Sequence, residues 1–423
     1  MASFNLTHFD AAMKHMYPYK KVENMVYKNN PLLAMIPKDT SFPGRNATYA
    51  VEYGMTSGRS ANFQTAQNNR SGTRLEDFVV TRVKDYAVVS VDNETLLAAD
   101  GSEGSLLDVA KSKTDSALHA LSRTMGRDIY RSGTGSIGKT IASGGTYSGT
   151  TLELVAGHAV GFEVGMRLKA SATDGAAFRN GVLEVTAVDR DADTLTVNVV
   201  CTTGITGITN ADFLYVEGDG ANGGSNIKMS GLDAWLPSSV TSSSFFGVDR
   251  TLDKTRLGGQ RETFSSSVQE TIIKAGVKTA REGGRPDAMF VNPTDWAELA
   301  LDLEGKATLA GNSGTSGSAH STSRRRYSAV ESEAMFGFSS LSIATPTGMV
   351  KVYADHNCPI NVGYLLQLDT WKLKSLGPAP RLLDFDGLKG IRQSNEDGVE
   401  YRWGYYGNLL CTAPGFNCRV ALA

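Results

Sequence analysis

The sequence predicts an α+β fold divided into several parts, and three stretches of the chain lead to this prediction. Side chains that alternate at a period of two predict paired strands within residues 45–91. Apolar residues at helical spacing predict a long helix over 105–132. Short strand-like runs between glycine-rich turns predict a small β-domain over 146–222. With 423 residues, 41% hydrophobic and 20% charged, the chain is long enough for two or three folded units.

The first 44 residues are predicted to form an arm rather than a folded unit. Their apolar residues follow no steady period, and Pro18, Pro31, Pro37 and Pro43 prevent one long helix. Such a segment gains stability by lying on another surface. It lacks the apolar core of a signal peptide, and no apolar run in the sequence reaches membrane-spanning length, so we expect neither a leader nor a membrane partner.

Residues 45–91 are predicted to form an extended hairpin. Residues 48–53 alternate in character, and the return strand is expected over Phe78–Val91, which is rich in valine, threonine and tyrosine. The polar segment between these strands is nearly devoid of aliphatic residues. A long hairpin with such a tip cannot build its own core, so it must pack against a neighbour or be mobile.

A long helix is expected over 105–132, within a region that extends over 92–145. Ser105 and Asp108 match a variant of the capping box that begins many helices. The helix would be about 40 Å long at roughly 1.5 Å per residue. Its apolar stripe comprises Leu107, Ala110, Ala117, Leu121, Met125 and Ile129.

The segment 146–222 has the character of an inserted β-domain. Five short runs of β-forming residues occur in it, and Asp189–Asp193 is expected to form the turn of one hairpin. Glycine- and serine-rich stretches flank the segment on both sides, as expected where one domain is inserted into another. We therefore predict a small barrel or sandwich that is displayed on the rest of the fold.

Residues 226–375 return to a mixed α/β pattern. A helix is predicted over Ser265–Glu282, with Val268, Ile272, Ala275 and Thr279 on one face. A buried strand over Ala288–Val291 and a second helix that opens at Pro293 are predicted to follow it. Two further strands are expected within residues 349–375, one over 349–355 and one over 364–373.

A polar loop and a late hairpin are also predicted in the last third of the chain. The serine- and glycine-rich stretch 311–326 is expected to be a mobile loop, and its last three residues, Arg324–Arg326, to be a solvated tip. Residues 376–423 are expected to contain a late hairpin that turns at Asn395–Gly398.

Residues Gly133 to Thr140 read GTGSIGKT, which matches the phosphate-binding P-loop pattern residue for residue. In a P-loop, a buried strand precedes the glycines and a helix N-terminus follows them. Here the order is reversed, because a predicted helix precedes the motif and the glycine-rich residues 141–149 cannot form one. We therefore interpret the motif as a turn that leaves the long helix, with a P-loop enzyme as the alternative.

No other pattern predicts catalysis, a cofactor or a metal site. Asp189, Asp191 and Asp193 resemble the start of a calcium loop, but the glycine and glutamate that such a loop requires are missing. The four cysteines form no C-x-x-C pair and are expected to be reduced and partly buried. A net charge of −2 argues against close wrapping of nucleic acid.

The order of these parts resembles the major capsid proteins of tailed bacteriophages, which share the Hong Kong 97-type fold. In that family the arm, the hairpin and the long helix are called the N-arm, the extension loop and the spine helix. The local sequence is also similar at the three residues that open the central domain, in a strand-into-helix segment and in the closing third. These segments are Gly231-Leu232-Asp233, Gly283–Leu299 and Gly348–Leu376.

The resemblance implies a P-domain over 92–145 and 376–423, an A-domain over 226–375 and an insertion at 146–222. It implies a structural subunit, not an enzyme, that self-assembles as hexamers and pentamers into an icosahedral head shell around double-stranded DNA. Implied partners are portal, scaffolding and decoration proteins, without sequence-specific DNA binding. The implied location is the virion, after assembly in the host cytoplasm. The shell of a bacterial nanocompartment with the same fold is an alternative.

Four arginines are the candidate intersubunit contacts. Arg59, Arg70, Arg74 and Arg82 lie in the predicted extension loop or its return strand, where aliphatic residues are scarce. A guanidinium can make a two-point contact with a carboxylate on a neighbouring subunit. The alternative is that these arginines only keep a solvated loop soluble. No catalytic, cofactor-binding or metal-binding residue is predicted.

Overall fold

The computed structural model describes residues 30–42, 44–92, 94, 109–309, 340–384, 387, 390–394 and 396–423. The α-helices within these ranges are α1 (Pro31–Met35), α2 (Phe63–Asn68), α3 (Val109–Asp128), α4 (Cys201–Gly204), α5 (Leu232–Trp235), α6 (Val268–Arg281) and α7 (Pro293–Leu309). Short 3₁₀ helices occur at His158–Gly161, Leu368–Thr370 and Pro414–Phe416.

The predicted hairpin consists of β2 (Asn46–Gly54) and β3 (Arg74–Thr81), which pair antiparallel, with α2 in the connection between them. The prediction of one return strand over Phe78–Val91 is wrong, because the strand is broken at Arg82. The chain then continues as β4 (Val83–Asp92), which pairs with a different sheet. Two successive runs of β-forming residues therefore belong to two sheets, which a period-two pattern cannot reveal.

The first sheet is organised around one long strand, β19 (Gly398–Cys411), which pairs antiparallel with β4 and with three further strands. Those strands and the strand at the edge of the sheet are β16 (Trp371–Ser375), β17 (Arg381–Leu382), β18 (Ile391–Arg392) and β1 (Lys38–Asp39). The pairing of β18 with β19 is the late hairpin that the sequence predicted.

Helix α3 packs against β4 and β19 through the part of the predicted apolar stripe that the structure describes. Ala117, Leu121, Met125 and Ile129 are all buried, although the helix ends at Asp128, before the predicted end. A Cβ atom at Gly126 of this helix would lie 2.4 Å from the side-chain oxygen of Asn30. The glycine therefore allows the segment before α1 to approach the helix, although glycine disfavours a helix by about 1 kcal/mol relative to alanine.

The second sheet closes on itself and forms a small barrel, which comprises residues 136–216. Its strands are β5 (Ser136–Lys139), β6 (Thr151–Glu153), β7 (Arg167–Ser171), β8 (Leu183–Asp189), β9 (Thr194–Val197) and β10 (Phe213–Val216). They follow one another around the sheet in the order β5-β10-β7-β8-β9-β6. The Ile141 amide donates to the Glu153 carbonyl, and the Val155 amide donates to the Lys139 carbonyl, each over 3.0 Å. These two bonds join β6 to β5 and complete the closure.

The barrel has an apolar interior of its own. Leucines from five of its strands, Leu152, Leu168, Leu183, Leu195 and Leu214, are fully buried in one cluster. The five predicted strand segments of residues 146–222 correspond to β6–β10. The sequence missed β5, so the sheet begins ten residues before the predicted boundary at 146. That the segment folds independently stays a prediction.

The third sheet brings together strands that are far apart in the sequence. They are, in sheet order, β11 (Gln260–Glu262), β20 (Cys418–Ala421), β15 (Val362–Leu366), β12 (Ala288–Val291), β14 (Gly348–Ala354) and β13 (Ser340–Thr345). All four residues of β12 are buried, as predicted.

Helices α6 and α7 pack on this third sheet. The predicted inward face of α6 is confirmed, because Val268, Ile272, Ala275 and Thr279 are buried. The predicted single strand over residues 364–373 is wrong. A 3₁₀ helix interrupts it, so β15 lies in the third sheet and β16 in the first.

Several predictions lie outside the described residues. They concern most of the arm, the start of the long helix and the loop 311–326 with Arg324–Arg326. Among the helices that are described, none is long and apolar enough to cross a membrane.

Candidate intersubunit surface

The base of the hairpin is embedded in the main hydrophobic core. The Phe78 ring is fully buried, with its centre 5.8 Å from that of Tyr49 and 5.3 Å from that of Trp235. The Tyr49 hydroxyl donates to the carbonyl of Cys411 in β19. The Arg256 guanidinium donates to the Tyr53 carbonyl over 2.7 Å. Aromatic packing and hydrogen bonds from three parts of the chain therefore fix this end of the hairpin.

The tip of the hairpin, residues 55–75, has a different environment. Within the described residues, its side-chain hydrogen bonds are all made inside the tip, for example between Thr56 and Thr73 and between Ser57 and Ser71. Asn62 begins α2 by accepting from the Gln64 amide over 2.9 Å. The tip therefore has a defined local structure of its own, although no residue of α2 is buried.

The surface of the tip combines large apolar side chains with positive charge. Met55, Phe63 and Leu75 are 82%, 77% and 57% exposed. The tip contains three arginines and no aspartate or glutamate. Adjacent apolar and cationic groups of this kind are typical of a surface that another molecule covers.

The structure brings three of the four candidate arginines together in the tip and separates the fourth. Arg59, Arg70 and Arg74 are exposed, and the Arg70 Nε donates to the Gln67 carbonyl over 2.9 Å. Arg82 lies between β3 and β4, where its guanidinium stands 5.9 Å from the centre of the Phe42 ring. None of the four forms a salt bridge within the described part of the chain. That they contact a neighbouring subunit stays a prediction.

The P-loop-like motif forms part of the barrel. Gly133 and Gly135 have positive φ angles of 88° and 92°, as expected for a turn after α3. Residues 136–139 are β5, which pairs with β10, and the hydroxyl of the buried Thr140 donates to the Thr209 carbonyl over 2.9 Å. The motif leads into a strand rather than a helix, so it lacks the helix N-terminus on which phosphate binding by a P-loop depends.

The acidic run at 189–193 forms the predicted hairpin turn. The Asp189 carboxylate accepts from the Asp191 and Ala192 amides, and Asp193 accepts from the Gly157 amide over 2.9 Å. These carboxylates therefore stabilise backbone turns. Across the described ranges, no group of three or more histidine, cysteine, aspartate and glutamate side chains could hold a metal ion.

The four cysteines are free thiols and all are buried. Burial raises the pKa of both Cys411 and Cys418 to about 12. Because the thiolate is the reactive form of cysteine, these two residues are expected to be inert.

A buried lysine that sequence reasoning missed connects the barrel to the first sheet. Lys228 is 4% exposed, and its ammonium lies 2.8 Å from the carboxylate of Asp85 in β4 and 3.0 Å from that of Asp219, just after β10. Burial alone would lower the pKa of Lys228, but Asp85 and the neighbouring Asp128 raise it. The lysine therefore stays charged and pairs two segments that are distant in the sequence.

No family model and no curated protein matches this sequence. Solved structures match its fold. A chain of the cyanophage A-1(L) capsid asymmetric unit aligns with 98% of this chain and 98% of its own length, with a TM-score of 0.55 and 10% sequence identity.

Two further structures also cover nearly the whole chain, with lower TM-scores. A chain from Mycobacterium phage Bobi covers 99% of each chain at a TM-score of 0.43 and 10% identity. A chain of an encapsulin complex from Synechococcus elongatus covers 100% of this chain and 96% of its own at a TM-score of 0.45 and 7% identity. At sequence identities this low, the similarity concerns the fold alone. The cyanophage structure has the highest TM-score of the three. The chain therefore has the mixed helix-and-sheet fold of a phage capsid protein.

Proposed function

We propose that this chain is the major capsid protein of a tailed bacteriophage, with the Hong Kong 97-type arrangement of parts. In this proposal the hairpin is the extension loop, α3 is the spine helix, and the barrel is an insertion. The sheet around β19 belongs to the P-domain and the sheet around β12 to the A-domain, while residues 1–44 form the N-arm. The fold shared with the cyanophage capsid chain along the whole length of both chains supports this arrangement.

The uncovered tip of the hairpin is the observation that carries the proposal. Its apolar side chains and its arginines have no partner surface in the described part of the chain, although its base is firmly held. Burial of exposed apolar area contributes about 25 cal/mol per Å² to an assembly, and the cost of association offsets part of this gain. A shell of identical subunits offers every projecting tip the same neighbouring surface, so one contact is repeated in every copy.

The proposed assembly is an icosahedral head built from hexamers and pentamers around double-stranded DNA. A net charge of −2 lets many copies pack with little mutual repulsion, and it is unsuited to sequence-independent wrapping of DNA. The proposed role is therefore structural and non-enzymatic, without a cofactor. Portal, scaffolding and decoration proteins are the proposed partners, and the virion is the proposed location.

Electron microscopy of the full-length chain, after size-exclusion chromatography, tests this function. We expect capsomers or megadalton particles, closed shells of hexamers and pentamers, and tip density that touches an adjacent subunit. A chain that remains a small oligomer under all assembly conditions, including co-expression with its scaffolding protein, would contradict the proposal. Particles from producing cells should contain DNA. Particles that enclose protein cargo instead would identify the nanocompartment alternative.

A further inference from the structure

A small basic pocket lies where α3 meets the barrel. Three arginines line it: Arg123 and Arg127 of α3, and Arg131, three residues after the end of that helix. The 3₁₀ helix of the barrel contributes His158, and the loop after β14 contributes His356. The pocket has a volume of about 40 Å³. This volume has room for a few water molecules or one small ion, because a cavity needs roughly 10–15 Å³ to hold one water molecule.

The acceptors around this pocket do not satisfy its guanidinium groups. Arg123 donates to Glu163 and to the Val160 carbonyl. Arg127 donates from Nη1 to the Gly161 carbonyl over 3.3 Å, and its Nε lies 3.6 Å from Asp128. The Nε atoms of Arg127 and Arg131 are both buried without a hydrogen-bond acceptor among the described residues. A buried donor without an acceptor costs free energy, so the described residues leave part of the hydrogen-bonding capacity of these two guanidinium groups unused.

The carboxylates near the pocket balance its positive charge only in part. Glu163 is shared between Arg123 and Arg190. Burial raises the pKa of the Asp128 carboxyl, although Arg127 and Lys228 oppose the shift. Burial and the neighbouring Arg127 lower the pKa of Arg131, as expected for a cation beside another cation. Asp233 and Asp128 oppose this shift. The described lining of the pocket itself contains three arginines and no carboxylate, so its positive charge is only partly balanced.

His158 adds a neutral donor to the same pocket. Its Nδ1 accepts from the Lys139 amide over 3.0 Å, which leaves the ring proton on Nε2. Burial, together with Arg131 and Lys139, lowers the pKa of His158 to about 3, so the ring is neutral near pH 7. The pocket thus combines charged and neutral donors.

We propose that this pocket binds one phosphate-type oxyanion, either free inorganic phosphate or a phosphodiester group of DNA. Guanidinium groups match the oxygens of phosphate in two-point contacts, and the small volume excludes a whole nucleotide. The bound anion would link α3, the barrel and the loop after β14. The site does not depend on the proposed shell function, because it is formed within one chain.

Calorimetry and thermal unfolding of the full-length protein in inorganic phosphate test the proposal, with chloride at the same ionic strength as the reference. We expect saturable binding of about one phosphate per chain and a higher unfolding temperature in phosphate. Arg127→Gln combined with Arg131→Gln should weaken phosphate binding roughly tenfold or more, since two charge-assisted contacts are lost. Arg281→Gln, which removes an exposed arginine on α6, should bind phosphate like the unaltered chain.

The same protein distinguishes the two sources of phosphate. Binding of a short fluorescent oligonucleotide that inorganic phosphate displaces, and that the double variant loses, identifies a phosphodiester site. Phosphate binding without oligonucleotide binding identifies a free-anion site. The proposal fails if phosphate has no saturable effect beyond that of chloride, or if the double variant binds it as tightly as Arg281→Gln does. If the double variant does not fold, a density map of the unaltered chain in phosphate decides, since an empty pocket contradicts the site.

Discussion

The hairpin and the barrel solve the same packing problem in opposite ways. Both are antiparallel β-structures that extend beyond the main hydrophobic core, and both are built from short or polar segments. The barrel closes its six strands around a cluster of buried leucines, so its apolar side chains are covered by its own residues. The hairpin has two strands, so only its base is buried, in a core that other elements provide.

The difference shows how the number of strands and the closure of a sheet determine whether a β-segment is stable without a partner. Closure pairs the two edges of the barrel with each other and creates an inside. Two strands have no inside, and an isolated hairpin is at best marginally stable in water. The hairpin therefore depends on its anchor at one end and, in our proposal, on a neighbouring subunit at the other. Three predictions test this contrast, from the largest expected effect to the smallest.

The anchor of the hairpin should be the most sensitive position. Phe78→Ala removes a fully buried ring that contacts Tyr49 and Trp235, so we expect a loss of about 3–5 kcal/mol in the free energy of unfolding. Urea unfolding of the unassembled subunit measures this loss. Phe63→Ala, the matched change at the exposed tip, should stay within about 0.5 kcal/mol. Equal effects of the two changes would show that the tip is as well packed as the base.

A core change in the barrel should have a large but local effect. Leu195→Ala leaves a cavity among the buried leucines, so we expect the amides of β8 and β9 to lose about 2–5 kcal/mol of protection against hydrogen exchange. Protection of β12 and β14 should not change if the barrel folds as a separate unit. Val199→Ala, at a barrel residue that is 38% exposed, is the control. Equal loss of protection in both sheets would contradict a separate barrel.

Local patterns in the sequence predicted the elements whose partners lie nearby. The four residues of β12 and the buried face of α6 were predicted correctly, because β12 is a continuous apolar run shortly before Pro293 and α6 has apolar residues at helical spacing. The sequence could not assign strands to sheets. The breaks at Arg82 and at Leu368–Thr370 were missed, since both sides of each break are equally β-forming.

The candidate sites depended even more on contacts that are distant in the sequence. The arginines of the tip were visible as residues, but their isolation from acidic partners is a property of the fold. Arg123, Arg127 and Arg131 have a helical spacing that the sequence shows, yet the histidines that complete their pocket come from two remote segments. The pairing of Lys228 with Asp85 across the barrel junction left no local signal at all.

The smallest expected effect concerns the arginines of the tip. Arg70→Ala combined with Arg74→Ala leaves the hairpin base intact, so the subunit should fold and form capsomers as before. If these arginines pair with carboxylates of a neighbouring subunit, assembled particles should lose roughly 0–1 kcal/mol for each exposed pair. Because the loss recurs in every subunit, thermal unfolding of the particles should reveal it as a lower melting temperature.

Salt separates this ionic contribution from simple loss of packing. Ionic strength screens exposed pairs, so the difference between the double variant and the unaltered particle should shrink at high salt. A matched control removes two exposed arginines elsewhere, Arg167→Ala and Arg281→Ala, whose side chains are 61% and 62% exposed and whose acidic partners lie within the chain. The control should lower the melting temperature of the unassembled subunit and of the particle alike, whereas the tip variant should affect only the particle. Identical melting of tip-variant and unaltered particles at both low and high salt would mean that the arginines only keep the tip soluble.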